Sequence, residues 1–526
     1  MNDKNPKIFL EEYKNEFSYR KSKTNLDIQF NRIAFIFFVF LMISVIFSIQ
    51  LIHLGTSKET VIKTKLQINK KNYRADILDR NGSYLVKTVS SIDIGINPVE
   101  VIDKKKLLIN LQLIFPNKNY SKIKKKLNSK KFFYLEKKIS IENYEKIMLL
   151  GDKSIKSEEK LTRIYPQKNL FSHIIGQIDD DNNGISGIEK SFDKELKVIN
   201  KPLTLTVDTD IQFLIREELI KFQSIFRSKG SAVVLMNVNN GEIISMVSYP
   251  DFDLNKREKL NDLNLINRAT KGVYELGSVF KTFTIAAGLE EGLIETDSEF
   301  LNLEKKLKCG KSIIAEYDDK ISSDLTVEQI LIRSGNIGSV RIGQILGIDK
   351  LKSFLKKIDV INKIDFDIEE VGQPISFKWG KCKLATVSFG HGITTTPLQL
   401  AKGYAIITNG GFDIKPSLIR KKLVKNETKK RVIKKGISKK INLILRKIVT
   451  SKEGTAGLAN INGYEVGGKT GTAQKTKIGG YSRAKVNTFA AVFPISKPKY
   501  VMIVLLDEPK RQQIIFMNIR IKKAHI

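Results

Sequence analysis

Residues 33–54 read IAFIFFVFLMISVIFSIQLIHL, a run with no Asp, Glu, Lys or Arg. A helix needs about 20 such residues to cross a bilayer core. Inside lipid every backbone N–H and C=O must be satisfied within the segment, so this run has one stable form there, a helix. A cleaved signal peptide has a shorter apolar region and a small-residue cleavage site. Here a polar stretch, residues 1–32, precedes the run and GTSKE follows it. The segment therefore reads as an uncleaved signal anchor rather than a buried core helix. Lys and Arg lie on both sides of it, so the charge rule for orientation does not decide which side faces the cytoplasm.

The rest of the 526-residue chain is long enough for two or three domains, and 41% hydrophobic residues allow large cores. The net charge is +34. The lysines are spread along the chain among Ile and Asn, with no interleaved aromatic-and-basic module, so a nucleic-acid interface is not expected. Cys309 and Cys382 have no metal-ligand spacing and no metal site or cofactor is expected. A disulfide between them is possible in an oxidising compartment, but unpaired thiols are the favoured reading.

Three short motifs follow one another in the second half: Ser278-x-x-Lys281 within YELGSVFKT, then Ser334-Gly335-Asn336, then Lys469-Thr470-Gly471-Thr472. A serine hydroxyl is a weak nucleophile and needs a base within reach. Residues i and i+3 share a helix face, so a helix starting near Gly277 places Ser278 beside Lys281. The apolar KTFTIAAGLEEGL predicts that this helix is buried and ends near Gly288 or Gly292. Burial disfavours a charged lysine, which suits Lys281 as the base. Ser334 is placed to relay a proton and Asn336 to hold Lys281 and a substrate amide; the bland alternative for Ser-Gly-Asn is a helix C-cap. Lys469, Thr470, Gly471 and Thr472 read as a strand that binds an anionic substrate, with the N–H groups of Ser278 and Thr472 facing a developing oxyanion. The spacing alone proves little: Ser-x-x-Lys recurs at Ser18/Lys21, Ser121/Lys124, Ser157/Lys160, Ser191/Lys194 and Ser496/Lys499. GYEVGGKT at 463–470 also satisfies the phosphate-loop pattern, but the strand-like NTFAAVFPI that follows argues against it.

Five segments are expected: a cytoplasmic tail (1–32), the anchor (33–54), a first extracytoplasmic region (55–226), a catalytic region (227–510) and an atypical end (511–526). The first opens with a strand–turn–strand at Asn81-Gly82, continues through a lysine-rich helical stretch near 103–149, and closes with a strand leading into an amphipathic helix. In the second, a hairpin around Asn239–Gly241 and two strands near the end enclose helices. That order predicts an α+β domain with an antiparallel sheet.

With the ordered motifs, other runs make the chain resemble the class B penicillin-binding proteins, in particular the septal FtsI type. They are RADILDRNG at 74–82, GISGIE at 184–189, VDTDIQ at 207–212, SFGHGITTTPLQLAKGYAIITNGG at 388–411 and LLDEPK at 505–510. The resemblance implies a transpeptidase fold, an antiparallel sheet with helices on both faces, behind an elongated, mainly β pedestal. It implies a D,D-transpeptidase that cross-links peptidoglycan stem peptides through an ester on Ser278 and is inhibited by β-lactams. It places the enzyme in the inner membrane as a single-pass protein, with its catalytic domain in the periplasm, beside an FtsW-type lipid-II polymerase and other divisome proteins. An elongation-type transpeptidase and a non-catalytic penicillin-binding scaffold or sensor are the alternatives; a β-lactamase would need a deacylating Glu, and none is assignable. Two departures stand out. Leu276 replaces the family's proline, and the chain ends in RQQIIFMNIRIKKAHI where the family continues with a helix that covers the sheet. A truncated end that leaves one sheet face partly uncovered is therefore expected.

Overall fold

The computed structural model describes residues 25–56, 73–198, 201–256, 263–310, 312–375, 378–420, 429–477 and 480–510. The atypical end at 511–526 lies outside the described residues. The chain divides into two units, 1–70 and 71–526. In the first, one helix spans Asn25–Thr56, and its apolar stretch Arg32–His53 is long enough to cross a membrane.

The second unit opens on a small sheet. Tyr84–Ile96 is its central strand, flanked by Phe133–Ile139 and Ile155–Ile164. The Asn81-Gly82 turn leads into it from Ile77–Leu78. The lysine-rich stretch forms helices Lys104–Ile114, Tyr120–Leu127 and Ile141–Met148, interrupted by the Phe133–Ile139 strand. These elements bury Ile94, Ile96, Leu107, Leu111, Leu127 and Ile147 in a core of their own. Polar groups tie the junction behind it. Arg74 donates to Glu189 and Asp193, and Arg163 Nε donates to Glu189 at 2.9 Å. A buried carboxylate is tolerable only when paired in this way.

Five antiparallel strands form the main sheet: β1 (Gly230–Asn237), β2 (Ile243–Tyr249), β3 (Gly467–Lys477), β4 (Gly480–Phe493) and β5 (Tyr500–Asp507). Their order is β3-β4-β5-β1-β2. The expected hairpin at Asn239–Gly241 joins β1 to β2, and the two late strands are β4 and β5. Helix α1 (Thr209–Phe226) covers one face through Leu219 against Val233 and Val247. On the other face, α5 (Pro397–Thr408) packs on β1 and β5 and α6 (Lys435–Thr450) on β3, and behind them lie α2 (Lys281–Glu290), α3 (Asn336–Lys357), which packs on α2, and α4 (Lys381–Ser388), which packs on α3. Helices on both faces of an antiparallel sheet is the architecture expected from the sequence. Residues 281–289 of α2 are buried without exception, so this helix is the centre of the core. The phosphate-loop pattern ends in β3, which pairs with β4 along its length; the helix that motif requires is absent from those residues.

Cys309 and Cys382 are disulfide-bonded, with Cα atoms 5.4 Å apart, which corrects the reading of unpaired thiols. Cys309 ends the first strand of a small hairpin, Lys306–Cys309 with Ser312–Ala315, and Cys382 lies in the first turn of α4. The pairing was not legible because the partners are 73 residues apart and meet only through tertiary structure.

Candidate active site

Ser278 sits in a 3-10 turn, Gly277–Phe280, and Lys281 is the first residue of α2. The turn is held from below: the Tyr404 hydroxyl, on buried α5, donates to Val279 O at 2.8 Å and lies 2.9 Å from Thr282 Oγ1. Gly277 has φ +64°, and a Cβ there would lie 2.4 Å from Thr472 O. A Cβ on Gly471 would lie 2.3 Å from Leu276 O. The two glycines let the backbone of the serine turn lie directly on that of β3, and at Gly277 the positive φ requires glycine as well. Leu276 supplies the carbonyl in this contact.

Ser334-Gly335-Asn336 is both a helix end and a site. The short helix Val327–Ile332 starts in a Thr326/Gln329 capping box. It closes with Gly335 N–H donating to Ile330 O at 2.8 Å, and Ser334 occupies the left-handed region at φ +59°. That conformation costs a non-glycine residue on the order of 1 kcal/mol and persists where neighbours hold it. Here the neighbours are two lysines. Lys281 Nζ donates to Ser334 O at 2.5 Å, to Ser334 Oγ at 3.2 Å and to Asn336 Oδ1 at 2.7 Å. Lys469 Nζ donates to Ser334 Oγ at 2.9 Å and to Thr470 O at 2.9 Å.

Both amines are fully buried. Burial brings Lys281 down to about 7, with Glu316 opposing the shift. Lys469 is also lowered well below the usual lysine value, by burial and then by the Lys281 charge. Two ammonium groups sharing one serine oxygen repel each other in a medium that screens poorly. Near neutral pH the pair therefore readily gives up a proton, which is the state a base requires.

Ser278, Ser334, Asn336, Thr470, Gly471 and Thr472 line one cleft of ≈ 550 Å³. Lys281 and Lys469 form its floor through the hydrogen bonds above. All eight residues singled out in the sequence thus converge. Sequence reasoning missed others that shape the cleft. Thr455, in the loop after α6, accepts from Thr470 Oγ1 at 3.0 Å. His391 lines the wall, held neutral at about 4 by burial and the Lys281 charge. Its only signal was its place in the GHG run. At the far end of β3, Lys475 bonds Asp507 at 2.8 Å and Glu508 at 2.7 Å, which ties this strand to the LLDEPK run. The chance copies look different: Lys124 is exposed and Lys160 pairs with Asp93 and Glu158. Among the described residues no group of three or more His, Cys, Asp or Glu is placed to hold a metal ion.

A half-buried serine, a buried lysine three residues on, a second serine between two lysines, and a strand edge define a serine acyl-transferase of the Ser-x-x-Lys class. The family model described as penicillin binding protein transpeptidase domain matches residues 231–522, and that of the penicillin-binding protein dimerisation domain matches residues 69–218. The chain belongs to the penicillin-binding protein transpeptidase family, in the class B arrangement of a dimerisation domain followed by a transpeptidase domain. It is 31% identical over 452 residues to the probable peptidoglycan D,D-transpeptidase FtsI of Caulobacter vibrioides, covering 83% of this chain and 76% of that one. It is 29% identical to the peptidoglycan D,D-transpeptidase FtsI of Buchnera aphidicola subsp. Baizongia pistaciae, covering 89% of each. The fold is similar to the crystal structure of penicillin binding protein 3 from Mycobacterium tuberculosis complexed with aztreonam. The TM-score is 0.66 at 22% identity, covering 84% of this chain and 91% of that one.

Proposed function

We propose that this chain is a septal peptidoglycan D,D-transpeptidase that works through an ester on Ser278. The observation that carries the reading is Ser334 Oγ, bonded by Lys281 on one side and Lys469 on the other at the floor of the cleft that Ser278 lines.

A stem peptide ending in D-Ala-D-Ala brings a carboxylate to Lys469 and the Thr470 and Thr472 hydroxyls. That charge stabilises ammonium at Lys469, and the repulsion between the two amines then favours neutral Lys281. Neutral Lys281 takes the proton from Ser278 Oγ as the oxygen attacks the penultimate carbonyl carbon. The N–H groups of Ser278 and Thr472 receive the oxyanion. The C–N bond breaks, and the departing amine of D-Ala takes a proton from Lys281 by way of Ser334 Oγ. An amine of a second stem then attacks the ester carbonyl, gives its proton back along the same route, and frees Ser278 Oγ–H. A β-lactam enters the first half of this sequence. Its amide opens onto Ser278 and leaves the same ester.

Residues 1–32 form the cytoplasmic tail, 33–54 the anchor, 55–226 the pedestal and 227–510 the transpeptidase domain in this reading. The substrate lies outside the cytoplasmic membrane, so the large unit faces the periplasm. A membrane-bound lipid-II polymerase of the FtsW type is the partner that supplies uncross-linked strands. The test is acyl transfer by the purified full chain, with a stem-peptide donor and an amine acceptor. Formation of the cross-linked amide supports the reading; rapid β-lactam hydrolysis without amide product contradicts it.

A further inference from the structure

Helix α3 starts at Asn336, and its N-cap is Gly335, which has no side chain to bond the free N–H groups of the first turn. Four such groups open every helix. Here another element supplies the acceptor. Glu316 follows the disulfide-tied hairpin, and its Oε2 accepts from Asn336 N–H at 2.7 Å while Oε1 accepts from Ile337 N–H at 2.7 Å. The neighbouring Ala315 O accepts from Asn336 Nδ2 at 2.8 Å. With its amide nitrogen fixed there, Asn336 turns Oδ1 toward Lys281 Nζ, 2.7 Å away. Among the described residues, the same carboxylate is the anionic group acting on Lys281, and the other titratable groups that face that amine are Lys469 and His391. Glu316 does not line the cleft, and its two oxygens are engaged by N–H donors, so it is not a base for water.

We propose that Glu316 is a positioning residue of the acyl transfer: it caps α3 from the hairpin, fixes the face that Asn336 presents to Lys281, and supplies the negative charge beside that amine. The inference rests on the transpeptidase reading above and deepens it. Charge-assisted bonds to two adjacent N–H groups are among the stronger hydrogen bonds, and a small displacement of an orienting group costs a large factor in rate.

The test is the second-order rate of acylation by a β-lactam between pH 5.5 and 9, in wild type, Glu316→Gln, Glu316→Asp and Asn336→Ala. Removing the charge makes Lys281 easier to deprotonate, so Glu316→Gln moves the midpoint of the acid limb to lower pH. The same variant lowers the plateau by about tenfold or more. Glu316→Asp keeps the charge and loses reach, so it lowers the plateau with the midpoint near that of wild type. Adding Glu316→Gln to Asn336→Ala lowers the plateau by less than about twofold, because the effect runs through Asn336. A lowered plateau with an unmoved midpoint in Glu316→Gln means a purely structural cap and overturns the proposal, as do additive losses in the double variant. If Glu316→Gln does not fold, Glu316→Asp decides: a midpoint shifted as far as its plateau falls overturns it. Wild type that is not acylated at all counts against the transpeptidase reading as well; normal wild-type acylation with unaffected variants counts against this inference alone.

Discussion

The acylation rate should report the protonation of one buried amine. Lys281 is fully buried, and its three polar contacts, to Ser334 O, Ser334 Oγ and Asn336 Oδ1, do not offset the loss of water. Burial brings it to about 7. Roughly one-tenth of it is then neutral at pH 6, half at pH 7 and nine-tenths at pH 8. Acylation of Ser278 by a β-lactam, whose carboxylate stays ionised throughout, should rise about tenfold from pH 6 to pH 8 and then level. A lysine at its ordinary value of about 10.4 would give roughly a hundredfold rise over the same range and no plateau below pH 9. Stopped-flow acylation of the detergent-solubilised chain separates the two. Lys281→Arg, which keeps the charge but cannot supply a neutral amine, should abolish the pH-dependent phase. A rate that is flat from pH 6 to pH 8, or still climbing a hundredfold, would refute the assignment of Lys281 as a buried base.

Two further outcomes follow from the packing. Gly277→Ala forces a Cβ to 2.4 Å from Thr472 O at a φ of +64°, so acylation should fall about a hundredfold while the far-UV spectrum persists; unchanged acylation would show that the two backbones are not held in contact. His173 is buried, its Nε2–H donates to Asn264 O at 2.8 Å, and burial lowers it from 6.5 to about 4. The unfolded chain therefore binds more protons than the native one between those values, and stability falls as pH drops through that window, by about 3 kcal/mol between pH 7 and pH 4. His173→Gln keeps an N–H donor and does not titrate, so its urea midpoint should lose correspondingly less over that range; parallel losses would contradict the burial account.

The parts legible in the sequence are those fixed by local pattern. The hairpin at 230–249, strands β4 and β5, and buried α2 follow from periodicity and turn residues. Ser278 and Lys281 were legible from the Gly before them, the apolar helix after them and the two motifs downstream, not from a spacing that recurs elsewhere, and the serine occupies a 3-10 turn rather than the first helical turn. Strand Phe133–Ile139 was hidden because lysines on both sides of it carry a helix-like pattern. Other features depend on segments far apart in the chain. Ser334 was singled out only through its partner motifs, since its own run reads as a helix end and the Lys469 that bonds it comes from residues much further on. Glu316 carries no motif, and its role comes from where the hairpin places it. Thr455 lies in a loop, and its hydroxyl matters only because Thr470 reaches it. The Cys309–Cys382 bond likewise joins a hairpin to a helix that sequence order separates.

Everything proposed for the cleft depends on Ser278 carrying the acyl group. Fluorescent penicillin, applied to membranes containing the full chain and to the Ser278→Ala variant, tests this most directly. The account predicts a labelled band at the mass of the chain in wild type and none in the variant, with similar amounts of both proteins present. No label on wild type would contradict the acyl-transferase assignment, and label that survives in Ser278→Ala would contradict the choice of nucleophile.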